Sequence, residues 1–236
     1  MIEHVDYEDM SLAEKTRYYE FLSQFVSENK KSLFESVSLN RTRYLTVVME
    51  NIFQSQNASA VLRSCDLFGV QDIHIIENNN KYTLNKDVAL GSSKWLSMNK
   101  YNSHENNAKQ AYDHLRKNGY RIVATSPHAK GCLLDDLPLN DGKIALVFGT
   151  ELEGLSDYAI ENADEYVTIP MYGFTESFNI SVSAAISMHH LIEKIHRTIP
   201  NWRLSDIELV DVKTQWVKRV LKKHELYDEK YFLSKK

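Results

Sequence analysis

Three stretches of this chain join amide, hydroxyl or charged side chains to the turn residues that would present them to a ligand. The first runs from Glu50 to Gly69 and places Asn57 at a strand-to-helix turn, with Arg63 one to two turns further on, off the apolar face of Val61, Leu62, Cys65 and Phe68. Paired with Asp66 at i+3, Arg63 would stabilise its helix by about a few tenths of a kcal/mol. Turned to a ligand, its planar fork suits a phosphate better than a lysine would. The second stretch, Ile144 to Leu155, is an apolar strand entering a loop that carries Gly149, Glu151 and Gly154. Such a loop lets a ligand approach the backbone at the carboxyl end of a strand, where open α/β sheets bind ligands, although a plain β-turn uses the same glycines. In the third, Val167 to Ala185, Pro170 ends a strand, Gly173 permits a turn, and Ser177 and Asn179 stand where a helix begins and its free N–H groups face outward. Capping alone accounts for Ser177 and Asn179. Ser181, Ser183, Ala184 and Ala185 are small enough for close packing of this helix on another backbone.

The elements that must hold these stretches follow from periodicity. Residues 1 to about 40 predict helices, with Leu12, Tyr19, Leu22, Phe25 and Val26 at helical spacing. Strands are predicted at Tyr44–Met49, Ile73–Ile76, Tyr120–Ala124, Ile144–Phe148 and Tyr166–Ile169; Tyr44–Met49 is apolar enough to be buried on both faces. Helices are predicted at Asn57–Phe68, capped by Asn57 or Ser59, and at Glu105–Lys117, Ser156–Asn162, Asn179–Arg197 and Ser205–Lys222. Strands separated by helices give an α/β fold: a mostly parallel sheet with helices on both faces.

Composition limits the function classes. The 236 residues suffice for one α/β domain with helical extensions. A net charge of -4 excludes coating of nucleic acid by bulk positive charge, so any such site is local. The tail from Lys213 to Lys236 offers eight Lys/Arg against Glu225, Asp228 and Glu229, while Glu3, Asp6, Glu8 and Asp9 precede any base at the other end; solvated faces would carry the same charges. Cys65 and Cys132, the only cysteines, exclude a disulfide framework and fit a reducing compartment. No long apolar run predicts a membrane span and the acidic start lacks the bases of a secretory signal, so a cytoplasmic protein is expected.

No Gly-x-Gly-x-x-Gly turn is present, and Gly149 to Gly154 continues into Leu155-Ser156 without the lysine of a phosphate-binding loop. No Gly-x-Ser-x-Gly elbow supports serine nucleophile chemistry. His189, Glu193 and His196 share a helix face at i, i+4 and i+7, but lack the His-Glu-x-x-His arrangement; a polar face explains them better, and no metal is expected.

In order and spacing, the three stretches together resemble the motifs of the SpoU/TrmH family of RNA ribose 2'-O-methyltransferases, over about Arg43 to Arg197. Arg43 to Asn51 and Ser93-Lys94-Trp95-Leu96 look most like the branch that methylates guanosine 18 in the tRNA D-loop. The resemblance implies a C-terminal deep trefoil knot, a homodimer, S-adenosyl-L-methionine as cofactor and tRNA as substrate. It divides the chain into an N-terminal helical extension (1–42), the knotted methyltransferase domain (43–198) and a C-terminal helical extension that contacts tRNA (199–236). It assigns Asn57, Arg63, Glu151, Ser177 and Asn179 to catalysis and substrate placement, and Thr125, Gly149, Ile169 and Phe178 to cofactor contact, with Phe178 standing where leucine is usual. A ribosomal RNA or another tRNA nucleotide as target, or a silent RNA-binding knot protein, are the competing readings.

Overall fold

The computed structural model describes residues 7–52, 54–78, 82, 85–89, 91–126, 131–150 and 153–233, apart from the side chains of 86 and 87. The chain forms two compact units, Met1–Arg41 with Arg203–Lys236, and Thr42–Trp202. The first is helical: α1 (Leu12–Ser23), α2 (Glu28–Ser38), α8 (Asp206–Val220) and α9 (His224–Leu233). Ser11 with Glu14 and Ser205 with Glu208 form capping boxes that start α1 and α8. Tyr18, Phe34 and Trp216 fill the interior of this unit. The basic tail is partly used up within it: Lys213 pairs with Glu35 at 2.8 Å and Lys218 with Asp228 at 3.2 Å.

The second unit holds β1 (Leu45–Glu50), α3 (Ser55–Leu67), β2 (Asp72–Ile76), α4 (Lys86–Ala89), β3 (Ser97–Tyr101), α5 (Asn107–Lys117), β4 (Tyr120–Thr125), β5 (Cys132–Leu133), β6 (Lys143–Phe148), α6 (Asp157–Glu161), β7 (Glu165–Thr168) and α7 (Ile180–Thr198). The strands pair in parallel in the order β3-β2-β1-β6-β4-β7-β5. Strand alternation sorts the side chains into two cores. Leu45, Val47, Met49, Ile144, Leu146 and Phe148 pack with α3 and α7, through Val61, Leu62, Ala184 and Met188. Val48, Ala145, Val147, Ile122 and Ala124 pack with α5 and α6, through Ala108, Ala111, Tyr112 and Ala159. Every residue of β1 is buried, as its mostly apolar, β-branched run predicts, and the polar members Thr46 and Glu50 are buried with it.

The structure departs from the expected elements in several places, the short α4 among them. Helix α3 begins at Ser55 behind Gln54, so Asn57 and Ser59 lie inside its first turns instead of capping it. Strand β3 was hidden because its Ser-Met-Asn-Lys-Tyr sequence is polar, which an outer strand tolerates. Strand β5 has only two residues, too few for a periodic signal. Helix α9 follows Lys223, whose positive φ of 55° turns the chain after α8.

Among the polar groups of this unit, His74 on β2 is buried; its Nδ1 lies 2.8 Å from the Tyr101 hydroxyl, which lies 3.0 Å from Nδ1 of His114. Burial, with the His114 charge second, pushes the His74 imidazole down to about 3. The unfolded chain therefore binds the extra proton first, and stability falls as pH drops through the window between about 6.5 and 3. Thermal melts across this window are expected to show a shallower loss for His74→Gln than for the wild type. Parallel curves for the two proteins would contradict the assignment.

Candidate active site

The parallel pairing aligns the carboxyl ends of β1, β6, β4 and β7: Met49 is level with Phe148, Ala124 with Val147, and Thr125 with Val167. The loop after β6 is anchored by a buried carboxylate. Glu50, at the end of β1, accepts from the backbone N–H of Ser156 at 2.9 Å and from its hydroxyl at 2.7 Å, and Ser156 caps α6. The loop closes on itself, with Thr150 N–H donating to Gly154 O at 2.8 Å and Gly154 N–H to Thr150 O at 3.2 Å. A Cβ on Gly149 would stand 2.1 Å from Gly154 O, and Gly154 has a φ of +71°. The close approach demands glycine at the first position and the left-handed backbone favours it at the second.

Beside this loop, the Thr125 hydroxyl donates to Val147 O at 2.8 Å and the Thr168 hydroxyl to Ser126 O at 2.7 Å, tying together the exits of β4, β6 and β7. Between these exits and the start of α7 lies a cavity of about 410 Å³, within the range of small-ligand sites. Of the residues expected to contact a cofactor, Thr125, Gly149, Ile169 and Phe178 all line it, and so does Ser177. Its described lining includes two exposed carboxylates, Glu153 and Glu176, and no basic side chain.

Asn57 and Asn179 meet outside that lining. Asn179 caps α7 by accepting from the Ser181 N–H at 2.9 Å, as capping predicts, and its Nδ2 donates to Asn57 Oδ1 at 3.2 Å. Asn57 Nδ2 donates in turn to Gln54 Oε1 at 3.0 Å, so a run of three amides couples the starts of α3 and α7. Arg63 is exposed on α3 and, among the described residues, makes no ion pair with Asp66 or any other acid. Glu151, and with it Leu152, lies outside the described residues. On the far part of α7, Glu193 pairs with Arg197 at 3.0 Å and His196 stacks on Trp202 with ring centroids 3.8 Å apart, and no group of metal-ligating side chains occurs among the described residues.

The sequence did not single out Glu50, Ser156, Glu153, Glu176 or Ser187. Glu50 and Ser156 are 106 positions apart, and only the β1–β6 pairing brings the capping serine onto the carboxylate. Glu176 is three residues before Asn179, and its proximity to Ser177 was the only available signal.

Parallel strands with a ligand-sized cavity at their carboxyl ends, built from two glycine-bearing loops, define an α/β protein that works at its strand exits. Residues 44–189 match the model of the SpoU rRNA Methylase family, and the chain belongs to that family. A tRNA (guanosine(18)-2'-O)-methyltransferase of Borreliella burgdorferi is 46% identical over 207 residues, covering 88% of this chain and 93% of that protein. The crystal structure of the A. aeolicus TrmH/SpoU tRNA modifying enzyme superposes with a TM-score of 0.73 at 27% identity, covering 83% of this chain and 98% of that one. The SpoU methyltransferase AviRb from Streptomyces viridochromogenes, solved in complex with the cofactor AdoMet, superposes with a TM-score of 0.55 at 21% identity, covering 65% and 58%; that likeness concerns the fold.

Gly149, which lines the cavity, and Gly173, which does not, make opposite predictions. Gly149→Ala forces backbone against backbone and is expected to lose at least about 2 kcal/mol of stability. At Gly173 a Cβ would come no nearer than 4.0 Å to Thr175 N, so Gly173→Ala is expected to change stability by no more than about 0.5 kcal/mol. Denaturant unfolding of both variants checks this, and equal stabilities would contradict it.

Proposed function

We propose that this chain transfers the methyl group of S-adenosyl-L-methionine to the ribose 2'-hydroxyl of guanosine 18 in the tRNA D-loop. The observation that carries the reading is the convergence of Thr125, Gly149, Ile169, Ser177 and Phe178, drawn from separate stretches of sequence, on one cavity. The target nucleotide is taken from the B. burgdorferi relative, whose name specifies it and whose similarity spans nearly the whole chain.

The residues fit the methyl donor on two counts. The cavity has the volume of a small-ligand site, and its charged rim, Glu153 and Glu176, suits a ligand that carries positive charge. When bound, S-adenosyl-L-methionine supplies an electrophilic methyl group on a sulfonium. The protein's own work is then placement. A ribose hydroxyl is a poor nucleophile near neutral pH and needs alignment together with an acceptor for its proton. Arg63, exposed and without an acid partner among the described residues, grips the phosphate beside the target ribose. An arginine stays charged up to a pH of about 12, so in this reading it is no free base: as it takes the hydroxyl proton it passes one of its own to the phosphate oxygen it grips, which releases that proton to water. Asn57 and Asn179, fixed to each other, hold the start of α7 beside the helix that bears Arg63, while Ser177 faces the cavity. Glu151 belongs to the same set by family likeness.

The reading extends to a cytoplasmic homodimer with the trefoil threading of its family, and to tRNA contacts by the terminal helices. Val182 and Ile186 lie exposed four residues apart on the first turns of α7, and Phe178 is exposed just before the helix; a second copy would cover these apolar side chains. Among the described residues, no helix is long and apolar enough to cross a membrane. In the tail, Lys222 and Lys223 are exposed and add local positive charge for a phosphate backbone.

Three measurements test the proposal. With saturating methyl donor, single-turnover methylation of tRNA by Arg63→Lys is expected to fall by about 100-fold or more while the melting temperature stays unchanged, since lysine keeps the charge and loses the two-pronged geometry. A near wild-type rate would remove Arg63 from the mechanism, and methylation of purified ribosomal RNA but not tRNA would reject the substrate. Light scattering should find twice the chain mass, and a stable active monomer would reject the dimer.

A further inference from the structure

One residue of the cavity is unexplained by the fold. Ser187 lies two turns into α7, is fully buried and lines the cavity, and its hydroxyl has no hydrogen-bond partner among the described residues. A helical serine or threonine commonly returns its hydroxyl to the carbonyl four residues earlier, as Thr198 does to Lys194 O at 2.8 Å in the same helix. Ser187 does not. A buried hydroxyl left without a partner costs the ligand-free fold free energy, and among the described lining residues no other buried side-chain oxygen is in this state.

The depth of the cavity says what such a hydroxyl would meet. Its rim carries the exposed carboxylates Glu153 and Glu176, while Phe148, Val167 and Ile180 on its lining are buried members of the hydrophobic core, as Ser187 is buried beside them. The methyl donor has one charged end, the amino acid, and one flat neutral end, the adenine. Burying the charged end against Phe148, Val167 and Ile180 would be costly, whereas a heteroaromatic ring fits there if its polar edge finds a partner. A serine hydroxyl both donates and accepts, which matches an edge that presents an amine beside a ring nitrogen.

We infer that Ser187 is a specificity-determining residue of the methyl-donor site, whose hydroxyl binds the polar edge of the adenine at the closed end of the cavity. This rests on the proposed methyl-donor reading and extends it to a residue of α7 outside the three motif stretches' turns. Ser187 is held ready by its neighbours: Ala184 and Met188 fix the helix in the core, and Ser183, one turn earlier on the same side, keeps the approach polar and uncrowded.

The test is calorimetric binding of S-adenosylhomocysteine and of adenosine to the full-length wild type and to Ser187→Ala, with thermal melts of both proteins without ligand. A lost hydrogen bond of this kind corresponds to a rise in Kd of about five- to tenfold. The expected result is that rise, by the same factor for both ligands, together with a ligand-free variant that melts at or above the wild-type temperature because the stranded hydroxyl is gone. Unchanged Kd values in the variant overturn the inference, as does a loss confined to S-adenosylhomocysteine, which would place the contact at the amino-acid end. A lower melting temperature without ligand also overturns it, by showing that the hydroxyl supports the fold itself. If the wild type binds neither ligand, the methyl-donor reading fails and this inference falls with it; wild-type binding with an unaffected variant sinks this inference alone.

Discussion

The parallel pairing of β1, β6, β4 and β7 is the constraint on which the site depends. Because these strands point the same way and stand in register, Glu50, Gly149, Thr125 and Ile169 all emerge at one edge although they are spread over about half of the chain. The pairing is stable because both faces of the sheet are covered, by α3 and α7 on one side and α5 and α6 on the other. The apolar character of β1 and β6 is thus what makes a polar site possible at their ends.

From that edge, a few polar contacts of high specificity convert strand ends into a cavity wall. The Glu50 carboxylate holds Ser156 and so fixes the far end of the loop that begins at Gly149. The backbone contact between Gly149 and Gly154 leaves no room for a side chain and brings main-chain groups to the cavity surface. Outside the cavity lining, the amides of Gln54, Asn57 and Asn179 couple the two helices that carry Arg63 and the small-residue stretch of α7. These contacts are local and directional, whereas the cores behind them are extensive and apolar. A division of that kind keeps the site rigid with few of its own side chains committed to packing.

The alternating fold was readable because strands and helices leave different periods in the sequence. Leu45–Glu50, Asp72–Ile76, Tyr120–Thr125 and Lys143–Phe148 all fall within a residue or two of their expected limits, since each carries a buried apolar run. Strand β3 leaves no such signal because an outer strand needs no apolar run, and β5 leaves none because two residues carry no period. Within the site, Asn179 was legible as a helix cap. Asn57 was placed two residues outside its true environment, because Ser55 and Gln56 give no sign that the helix has already begun. Glu50 and Ser187 could not be found from sequence: a buried carboxylate and an unpartnered hydroxyl look like any glutamate at a strand end and any serine on a helix until their neighbours are known.

The central claim is that this framework delivers a methyl group to one ribose oxygen. The most direct test uses two tRNAs identical except at position 18, one with guanosine and one with 2'-deoxyguanosine, incubated with the wild-type protein and S-adenosyl-L-methionine labelled in its methyl group. The account predicts label in the first tRNA and none in the second, since the second lacks the only acceptor oxygen. Equal labelling of the two, or no labelling of the first, would contradict it.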